Sequence, residues 1–380
     1  MAEPWQPLAG LKVVDFAMFI PGPFASAILA DLGAEVVKVE PLAGDPGRSY
    51  VPPQFRTENR NKRSIAVNLK APAARKVVER LVRDADFVLE GFRPGVAKRL
   101  GIDYETLCRV NGKLIHCSIS GYGQTGPWRE RPGHDVNYVA AAGGLAFPGQ
   151  WLKPPVRSSL AIADMAGGSF AATALLAALA ERNRTGRGAQ LDLSLFEAAF
   201  FWSAMRHSLS HDVDPRAHLF PANDVFETKD GKRLTLGILE EHFWNNFVGL
   251  APELEQEEFS SDAKRRANGD RLSAMLEKVV KTRSADDWLR LCEENDVPVD
   301  LCLSAAQAAE LPQNVERRNA TTVSGESFAS FPVHANGRRG GAIRRGVPRL
   351  GEHTREVLVE LGFDDGEIAD LGRAGAVKLG

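Results

Sequence analysis

The stretch LKVVDFAMFIPGPFASAILADLGAEVVKVE, residues 11–40, contains the pattern that predicts the fold. Its two ends, LKVVDF and AEVVKVE, are short runs rich in β-branched residues, which are typical of buried strands. Between them Pro21 opens an alanine-rich run that continues to Leu32 and favours a helix. A strand, a helix and a second strand in this order predict a β-α-β unit whose strands run parallel.

The same alternation of strand and helix patterns continues downstream. It comprises SIAVNLK (64–70), a helical pattern over 71–84, ADFVLE (85–90) and KLIHCSIS (113–120). These segments predict a mostly parallel sheet covered by helices, the arrangement of an α/β domain. A longer helix is predicted from about Asp164 to Glu181, and a further strand or helix from Gln190 to Phe201.

A change in character after the long helix predicts a second, smaller domain. The polar stretch 208–224 is expected to be a linker. The run DVFETKDGKRLTLGIL (224–239) predicts a hairpin that turns at Asp230-Gly231, because Asp-Gly between strand-like runs is a strong turn signal. Amphipathic patterns then predict several helices to about Leu311.

The C-terminal part returns to the large domain. Thr322–Gly351 is rich in Gly, Ser and Arg and is expected to be poorly structured, and the last helix is predicted to begin near Thr354. The predicted organisation is a large α/β domain from 1–207 and 330–380, the linker, and a small α+β domain with its return segment from 225–329.

Composition excludes several classes of protein. The 380 residues are 44% hydrophobic and 25% charged with a formal net charge of -2, which gives no electrostatic reason to expect a nucleic acid or a membrane as partner. The four cysteines are too few and too scattered for a disulfide framework or a CxxC metal site. The opening MAEPWQPLAG resembles no export signal, and the apolar run Phe170–Ala180 is short for a membrane span. We therefore expect a cytoplasmic location.

One glycine motif suggests a nucleotide enzyme at first sight. Gly121, Gly123 and Gly126 in GYGQTG fit G-x-G-x-x-G and follow the predicted strand KLIHCSIS. The dinucleotide fingerprint requires a helix to open inside the glycine loop. Pro127, Pro132 and Gly133 occupy that stretch and disfavour a helix there, so we do not predict a nicotinamide enzyme.

Several motifs together resemble one known family. They are LAGLKVVDF, PGPFASAILADLGAEVVKVE, NRNKRSIAVNLK, GFRPGV, PGHDVNYVAAAGGL, IADMAGGS, NRTGRGAQLDLSLFEAA and GEHTREVLVELG. In this combination the chain resembles the class III CoA-transferase superfamily, and within it the α-methylacyl-CoA racemases. The resemblance extends over nearly the whole chain. It implies the class III CoA-transferase fold, with a large Rossmann-like domain and a smaller α+β domain.

The resemblance implies a catalytic pair. In the racemases, the histidine and aspartate that match His134 and Asp164 face each other across the α-carbon of the substrate. Inversion of a centre next to a thioester needs removal of a proton on one face and delivery on the other, so two acid/base groups are required. Their ordinary pKa values, about 6.5 and about 3.9, must move closer together for the pair to work in both directions.

A third catalytic residue, Glu240, follows from the same resemblance. The racemases carry a glutamate that pairs with the histidine, in a motif of the form Gly-x-Ile/Leu-Glu-Pro-x-Phe. Here Gly237-Ile-Leu-Glu240-Glu-His-Phe243 is in register, with Glu241 in place of the proline. Either Glu240 or Glu241 could pair with His134, and a solvated helix start is the structural alternative for this stretch.

The transferase branch of the superfamily uses one of these residues differently. There the aspartate that matches Asp164 attacks the acyl-CoA, forms a mixed anhydride and then an aspartyl-CoA thioester. The transferases typically carry a tyrosine or another residue at the position of His134 and lack the Leu-Glu pair near Glu240. Both racemase features are present, so racemisation is the favoured prediction and CoA transfer the alternative.

Binding of CoA calls for cationic groups that can hold phosphates. Arg93 in GFRPGV matches the arginine that contacts CoA in the family, and Arg48, Lys62 and Arg63 are further candidates. Each of these three could equally be a solvated surface charge. The resemblance also implies that Gly121 and Gly123 shape the thioester pocket.

The expected partners are few. The resemblance implies a homodimer whose two chains interlock, so that Glu240 would act on His134 of the other subunit. The acyl-CoA thioester is the expected substrate, and CoA is bound as part of it, so no separate cofactor is expected. The remaining histidines show no metal-ligand spacing, and no metal site is predicted.

Overall fold

A computed structural model describes residues 3–210 and 214–379. Its strands are β1 (Lys12–Asp15), β2 (Glu35–Glu40), β3 (Lys62–Val67), β4 (Phe87–Glu90), β5 (Ile115–Ser120), β6 (Ala189–Ser194), β7 (Asn223–Glu227), β8 (Arg233–Gly237), β9 (Val299–Leu301), β10 (Ala320–Val323), β11 (Glu326–Ala329), β12 (His334–Ala335), β13 (Arg338–Arg339) and β14 (Val377–Lys378).

Helices alternate with the first strands and dominate the middle of the chain. They are α1 (Pro21–Asp31), α2 (Gly47–Tyr50), α3 (Pro52–Glu58), α4 (Ala74–Arg83), α5 (Val96–Leu100), α6 (Tyr104–Leu107), α7 (Asp135–Ala141), α8 (Ile162–Thr185), α9 (Leu195–Arg206), α10 (Glu241–Leu250), α11 (Asp262–Ala267), α12 (Gly269–Val280), α13 (Ala285–Glu294), α14 (Ala305–Ala309), α15 (Pro312–Glu316), α16 (Thr354–Glu360) and α17 (Asp365–Arg373).

The chain divides into two compact units. The large unit contains the residues up to Ala142, Ser159–Phe201 and those from Pro312 onward, and the small unit contains Gly143–Ser158 and Trp202–Leu311. These bounds differ from the predicted ones, since 143–158 and 202–207 group with the small unit and 312–329 with the large one. In the predicted linker 208–224, residues 211–213 lie outside the described residues, and 208–210 and 214–222 form neither helix nor strand.

A seven-stranded sheet forms the centre of the large unit, in the order β14-β3-β2-β1-β4-β5-β6. All its pairings are parallel except that of β14 with β3. The α/β prediction is therefore confirmed. The strand order reverses between β1 and β4, and ligands of open α/β sheets bind at such a point, outside the carboxyl ends of the strands.

The core strands are buried on both faces. Val14, Val37, Ile65 and Val88 pack with the apolar residues of α4 in one hydrophobic cluster. This explains why the strand segments are continuous apolar runs rather than alternating ones.

α8 is the longest helix and packs against α1, β5 and β6. α8 is long and apolar enough to cross a membrane, but core helices of soluble proteins also have this length and composition. Half of its apolar stretch is buried in the protein. Its packing is close because Gly168 has no side chain: a Cβ there would lie 2.7 Å from the carbonyl oxygen of Pro21 in α1. The contact leaves no room for a side chain at position 168, in the second turn of α8.

The small unit has its own sheet and its own core. β7, β8 and β9 form an antiparallel sheet, with the predicted hairpin between β7 and β8 confirmed. Gly231 in the turn has φ +74°, a conformation that favours glycine. Trp244, Phe247 and Trp288 of the covering helices pack with the buried strand residues Leu234 and Leu236.

The segment expected to be poorly structured contains two hairpins, so that expectation is wrong. β10 pairs with β11 and β12 pairs with β13, both antiparallel. The turns are Ser324-Gly325 and Asn336-Gly337, and all four residues have φ between +52° and +79°. Two-residue turns with positive φ match the twist of a hairpin, and Asn-Gly is the strongest signal for one.

Candidate active site

A cavity of about 620 Å³ opens at the carboxyl ends of β1, β4 and β5 in the large unit. His134 and Asp164, the predicted catalytic pair, both line it. They are 30 positions apart in the sequence, since His134 directly precedes α7 and Asp164 lies in the first turn of α8. The remaining walls come from Met18–Gly22 after β1, Gly91–Pro94 after β4, Ile119–Gly121, Arg129, Arg131–Gly133, Asn137, Tyr138 and Leu195.

Asp164 lies in the first turn of α8 and is only 8% exposed. Burial, followed by the neighbouring carboxylate of Asp135, raises the pKa of Asp164 to about 7. The helix N-terminus acts in the opposite direction, because its free N–H groups favour a negative charge. Burial has the larger effect, so Asp164 carries a proton about half of the time near neutral pH.

Asp135 connects the two predicted catalytic residues. It follows His134 directly, and its Oδ1 accepts hydrogen bonds from the backbone N–H groups of Ala163 (2.7 Å) and Asp164 (3.3 Å). It therefore supplies the cap that α8 lacks in its own sequence. Sequence reasoning missed this role, because the capped residues follow 28 and 29 positions later.

The backbone of His134 is fixed at the start of α7. Its N–H donates to Asn137 Oδ1 at 3.0 Å, and its carbonyl accepts from the Asn137 N–H at 2.8 Å. His134 is exposed, so its imidazole can reach a ligand in the cavity.

Tyr138 packs behind the pair and was also missed. Its hydroxyl donates to the carbonyl oxygen of Gly133 at 2.5 Å. Burial, followed by the nearby Asp164, raises the pKa of Tyr138 to about 12, so the phenol stays protonated. A Cβ at Gly121 would lie 2.5 Å from the Tyr138 hydroxyl oxygen. Gly121 is thus required for the packing of Tyr138.

The glycine loop after β5 is held by the sheet. Gly123 has φ +86°, and the next N–H, of Gln124, donates to both carboxylate oxygens of Asp192 at 3.0 and 3.1 Å. Within the described residues, no helix begins between the end of β5 at Ser120 and Asp135, so the glycine loop lacks the helix that a dinucleotide fingerprint requires.

Of the four basic residues predicted to contact CoA, Arg93 is the one whose side chain lines the cavity without a partner among the described residues. It is exposed and makes no ion pair or side-chain hydrogen bond within 3–210 and 214–379. Arg48 binds Glu40 through two nitrogens, at 2.7 and 2.8 Å. Arg63 pairs with Glu356 and Glu360 of α16. The structure does not bring Arg48 or Arg63 to the cavity.

Lys62 is fully buried, and its ammonium bonds to Asp15 (3.1 Å), Asn59 (3.0 Å) and the carbonyl oxygen of Pro23 (2.9 Å). Burial lowers the pKa of Lys62 to about 8 even with the Asp15 carboxylate beside it. A phosphate could reach this ammonium only if the core opened. The structure therefore gives Lys62 a role in the fold and corrects its assignment as a CoA contact.

A second buried lysine holds the loop that forms the first wall of the cavity. Lys38 pairs with Asp45 at 2.8 Å and donates to the carbonyl oxygen of Ala17 at 2.9 Å. The N–H of Ala17 donates to Asp15 at 2.9 Å, and that of Phe19 to Asp45 at 3.4 Å. Phe19 has φ +62°, a conformation that is costly for a bulky residue. The buried charges stabilise that conformation.

A second cavity, of about 500 Å³, also lies in the large unit. Its cationic lining residues are Lys70, Arg75, Lys98, Arg99 and Arg109. The segment 91–101 contributes to both cavities, through Gly91–Pro94 to the first and Lys98–Gly101 to the second. Sequence reasoning missed this cluster, because its residues come from three separate segments, 69–79, 98–101 and 106–110.

In the small unit, the structure distinguishes Glu240 from Glu241. Glu241 binds Arg265 at 2.7 Å and accepts from the N–H of Asp262 at 3.0 Å. The hydrogen bond from Arg265 lowers the pKa of Glu241. Glu240 precedes α10 as its N-cap residue and is exposed. Of the two, Glu240 is therefore the carboxylate available to another group.

The described residues contain no group of three or more His, Cys, Asp or Glu side chains that could hold a metal ion.

Comparison with known proteins identifies the family. The family model for CoA-transferase family III matches residues 8–354. An acetyl-CoA:oxalate CoA-transferase of Acetobacter aceti is 36% identical, over 92% of this chain and 95% of that protein. An alpha-methylacyl-CoA racemase of Mus musculus is 33% identical, over 96% of each.

The fold agrees with solved relatives. A CAIB/BAIF family protein from Brucella suis superposes with a TM-score of 0.85 at 30% identity, over 94% of this chain and all of that one. This confirms the predicted class III CoA-transferase fold. With its sheet, its cavity at the strand ends and its sequence all in agreement, the chain belongs to CoA-transferase family III.

Proposed function

We propose that this protein inverts the configuration of the α-carbon in a 2-methylacyl-CoA thioester. The observation that carries the proposal is the position of His134 and Asp164 in the wall of one cavity. Inversion needs one group on each face of the carbon, because a single base would return the proton to the face it came from.

The environment of Asp164 supports a role in proton transfer. A racemase uses each group as a base for one epimer and as an acid for the other. A pKa of about 7 lets Asp164 populate both forms near neutral pH, which an ordinary aspartate does not. A strongly shifted carboxyl in a cavity is also a general mark of a functional site.

The proposed reaction conserves all atoms of the substrate. The basic member of the pair takes the α-proton, and the C–H electron pair moves into the thioester carbonyl to give an enolate. The acidic member then protonates the opposite face, and the carbonyl re-forms. No bond to sulfur breaks, so CoA stays on the acyl group, and we propose that no cofactor besides this CoA takes part.

We place the nucleotide end of CoA in the second, basic cavity. Phosphates are held well by clustered arginine and lysine side chains, and Lys70 and Arg99 are among the five that line this cavity. The segment 91–101 contributes to both cavities, and Arg93 lies at the end of it that lines the catalytic one. CoA would therefore run along this segment towards His134.

CoA transfer is the second candidate, and the relatives favour it. The acetyl-CoA:oxalate enzyme and a succinyl-CoA:glutarate CoA-transferase of Mus musculus, 34% identical, are both transferases by name. In that reaction the Asp164 carboxylate would attack the thioester carbonyl, and CoA would leave as a thiolate. The CoA thiolate would then attack the Asp164 carbonyl of the mixed anhydride, which gives an aspartyl-CoA thioester and releases the donor acid as a carboxylate. An acceptor carboxylate would attack that thioester, and the CoA thiolate would return to the acceptor carbonyl, which forms the new acyl-CoA and frees Asp164. His134 would take no proton from carbon.

The experiment that tests the proposal is proton NMR of a single epimer of a 2-methylacyl-CoA in D₂O with no carboxylate acceptor. The proposal expects deuterium at the α-carbon together with loss of optical activity. Asp164→Asn and His134→Gln should each slow exchange by about 100-fold or more. Asp365→Asn, at an exposed carboxylate on α17, is the matched control and should exchange at the wild-type rate.

The same sample distinguishes the second candidate. If no deuterium enters, but thioester passes to added oxalate or glutarate and Asp164→Asn abolishes that transfer, then the protein is a CoA-transferase and the racemase proposal fails.

We further propose that the protein works as a homodimer in the cytoplasm. Phe200 and Phe201 on α9 are 42% and 55% exposed, an apolar surface that a second copy would cover. The four cysteines are free thiols, which fits a reducing compartment.

A further inference from the structure

Arg131 is a wall residue of the catalytic cavity that the proposed proton transfer does not use. It lies in the loop between β5 and α7, three positions before His134. Its guanidinium carbon is 4.6 Å from the ring centre of Trp128 and 5.6 Å from that of Tyr122. The two rings meet edge to face with centroids 5.4 Å apart. Arg131 therefore rests on an aromatic support.

Cation–π contact with the two rings does not use the N–H donors of the guanidinium. A guanidinium stacks through its face, while its five N–H donors point outward in the plane and match a carboxylate in bidentate fashion. Within the part of the chain that the structure describes, the Arg131 side chain makes no ion pair and no hydrogen bond. Its neighbour Arg129 differs, because it pairs with Glu130 at 3.3 Å.

The phosphates of CoA do not account for Arg131. Five cationic side chains line the second cavity, and Arg93 lies in the segment 91–101, which contributes to both cavities. Arg131 instead lines the same cavity as His134, which is where the proposed function places the acyl group. Met18 and Ile20 supply apolar wall in the same cavity, which suits the methyl and methylene groups of a short branched chain.

We propose that Arg131 binds a carboxylate at the far end of the acyl group, so that the substrates are CoA thioesters of branched dicarboxylic acids. This inference rests on the proposed function, since it names the substrate class of the same site. Trp128 acts as a positioning residue, because it orients the guanidinium without touching the substrate.

Binding of two matched thioesters tests the inference. One is methylsuccinyl-CoA with its methyl group next to the thioester, and the other is 2,4-dimethylpentanoyl-CoA, in which an isopropyl group replaces the carboxylate. Each is titrated by calorimetry as an equimolar mixture of epimers, so that turnover produces no net heat. The wild type should prefer the dicarboxylic thioester, and Arg131→Gln should lower its affinity by about 10-fold or more.

Three further variants sharpen the test. Arg131→Lys keeps the charge but loses the planar fork, so only part of the preference should remain. Trp128→Leu should reduce the preference while CoA itself binds as before. Arg184→Gln removes the same charge from an exposed position at the end of α8 and should change neither affinity.

Two outcomes would overturn the inference. An equal loss of affinity for both thioesters in Arg131→Gln would show that Arg131 holds the CoA portion, and no loss for either would show that it holds nothing. Neither outcome depends on catalysis. Deuterium exchange by the wild type on the same two thioesters reports on the racemase proposal separately, so the failure of one is distinguishable from the failure of the other.

Discussion

Asp164 shows how the environment of a single carboxyl sets its chemistry. It lies at a helix N-terminus, which favours its charge, and in a buried wall beside Asp135, which disfavours it. Burial is the larger influence, and the Asp135 carboxylate adds to it. Because Asp135 also caps α8, its charge and its geometry can be separated by mutation.

Asp135→Asn should move one limb of the pH profile. The asparagine oxygen can still cap α8, but the negative charge is removed, so the pKa of Asp164 should fall. For a reaction with two acid/base groups, the plot of kcat/KM against pH is bell-shaped. Both epimers should give the same plot, because each reacts with enzyme in which one of the two groups is protonated and the other is not. We expect the limb near pH 7 to shift to lower pH in Asp135→Asn. An unchanged profile would contradict the assignment of that limb to Asp164.

Asp164→Asn should stabilise the protein at the expense of its activity. The pKa of Asp164 is 3.8 in its ordinary state and about 7 when folded, so the folded chain binds more protons between these values. Stability is therefore lost as the pH rises from about 4 to about 7, by on the order of a few kcal/mol. Asparagine does not ionise and avoids that loss.

The measurement is the midpoint of thermal unfolding at pH 5 and at pH 8. The gain from Asp164→Asn should be larger at pH 8, and Asp365→Asn should show no such difference. A variant that is less stable than the wild type at pH 8 would contradict the raised pKa.

At the scale of elements, a close contact between α1 and α8 constrains the N-terminal part of α8. Gly168 faces the carbonyl oxygen of Pro21, and a Cβ there would also lie 2.7 Å from Phe24 Cδ1. The carbonyl belongs to the backbone at the start of α1 and has little freedom to move. A larger residue at 168 must therefore displace α8 itself, together with Asp164 one turn earlier.

Gly168→Ala should lower the free energy of unfolding by about 1–3 kcal/mol. Because small displacements of reacting groups are costly, deuterium exchange should also slow by about 10-fold or more. Gly372→Ala in α17 is the matched control, since no atom lies within 4 Å of its added Cβ. That substitution should be neutral or stabilising by about 0.4–1 kcal/mol. Urea unfolding of both variants gives the comparison, and equal stabilities would show that α8 is not constrained at Gly168.

At the scale of the whole molecule, the proposed interlocked dimer makes a prediction about shared active sites. If His134 and Asp164 of one chain work with the partner subunit's Glu240, then each active site takes Asp164 from one chain and Glu240 from the other. The substitutions Asp164→Asn and Glu240→Gln then inactivate residues that different chains supply to the same site. A mixed dimer then keeps one intact site out of two.

Co-expression of the two inactive variants should restore about a quarter of the wild-type exchange rate, because half of the dimers formed at random are mixed. The measurement is deuterium exchange on the co-expressed sample and on each variant alone, with the molecular mass from light scattering. An active monomer, or mixed dimers with no recovered exchange, would contradict the shared site.

Several features were predictable because their signals are local. The β-α-β pattern of residues 11–40 and the hairpin at Asp230-Gly231 each follow from short-range preferences of the backbone and are confirmed. The Asn336-Gly337 and Ser324-Gly325 hairpins carried the same kind of signal, but the glycine-rich composition around them obscured it.

The assignment of the basic residues shows the limit of local patterns. Arg93, Lys62 and Arg63 are all basic residues, and the sequence does not distinguish their environments. Arg93 lines a cavity, Lys62 is enclosed in the core, and Arg63 pairs with α16. Which of them is free depends on partners that lie far away, since Lys62 meets Asp15 over 47 positions and Arg63 meets Glu356 over 293.

The sequence alone determined the alternation of strands and helices, the family and the choice of His134 and Asp164 as the candidate pair, because periodicity and short motifs depend on neighbouring residues. The shared cavity, the raised pKa of Asp164, the cap from Asp135 and the contact of the Arg131 guanidinium with two aromatic rings came only with folding. All four depend on burial and on groups contributed by distant segments. None of them exists until the sheet and α8 have packed.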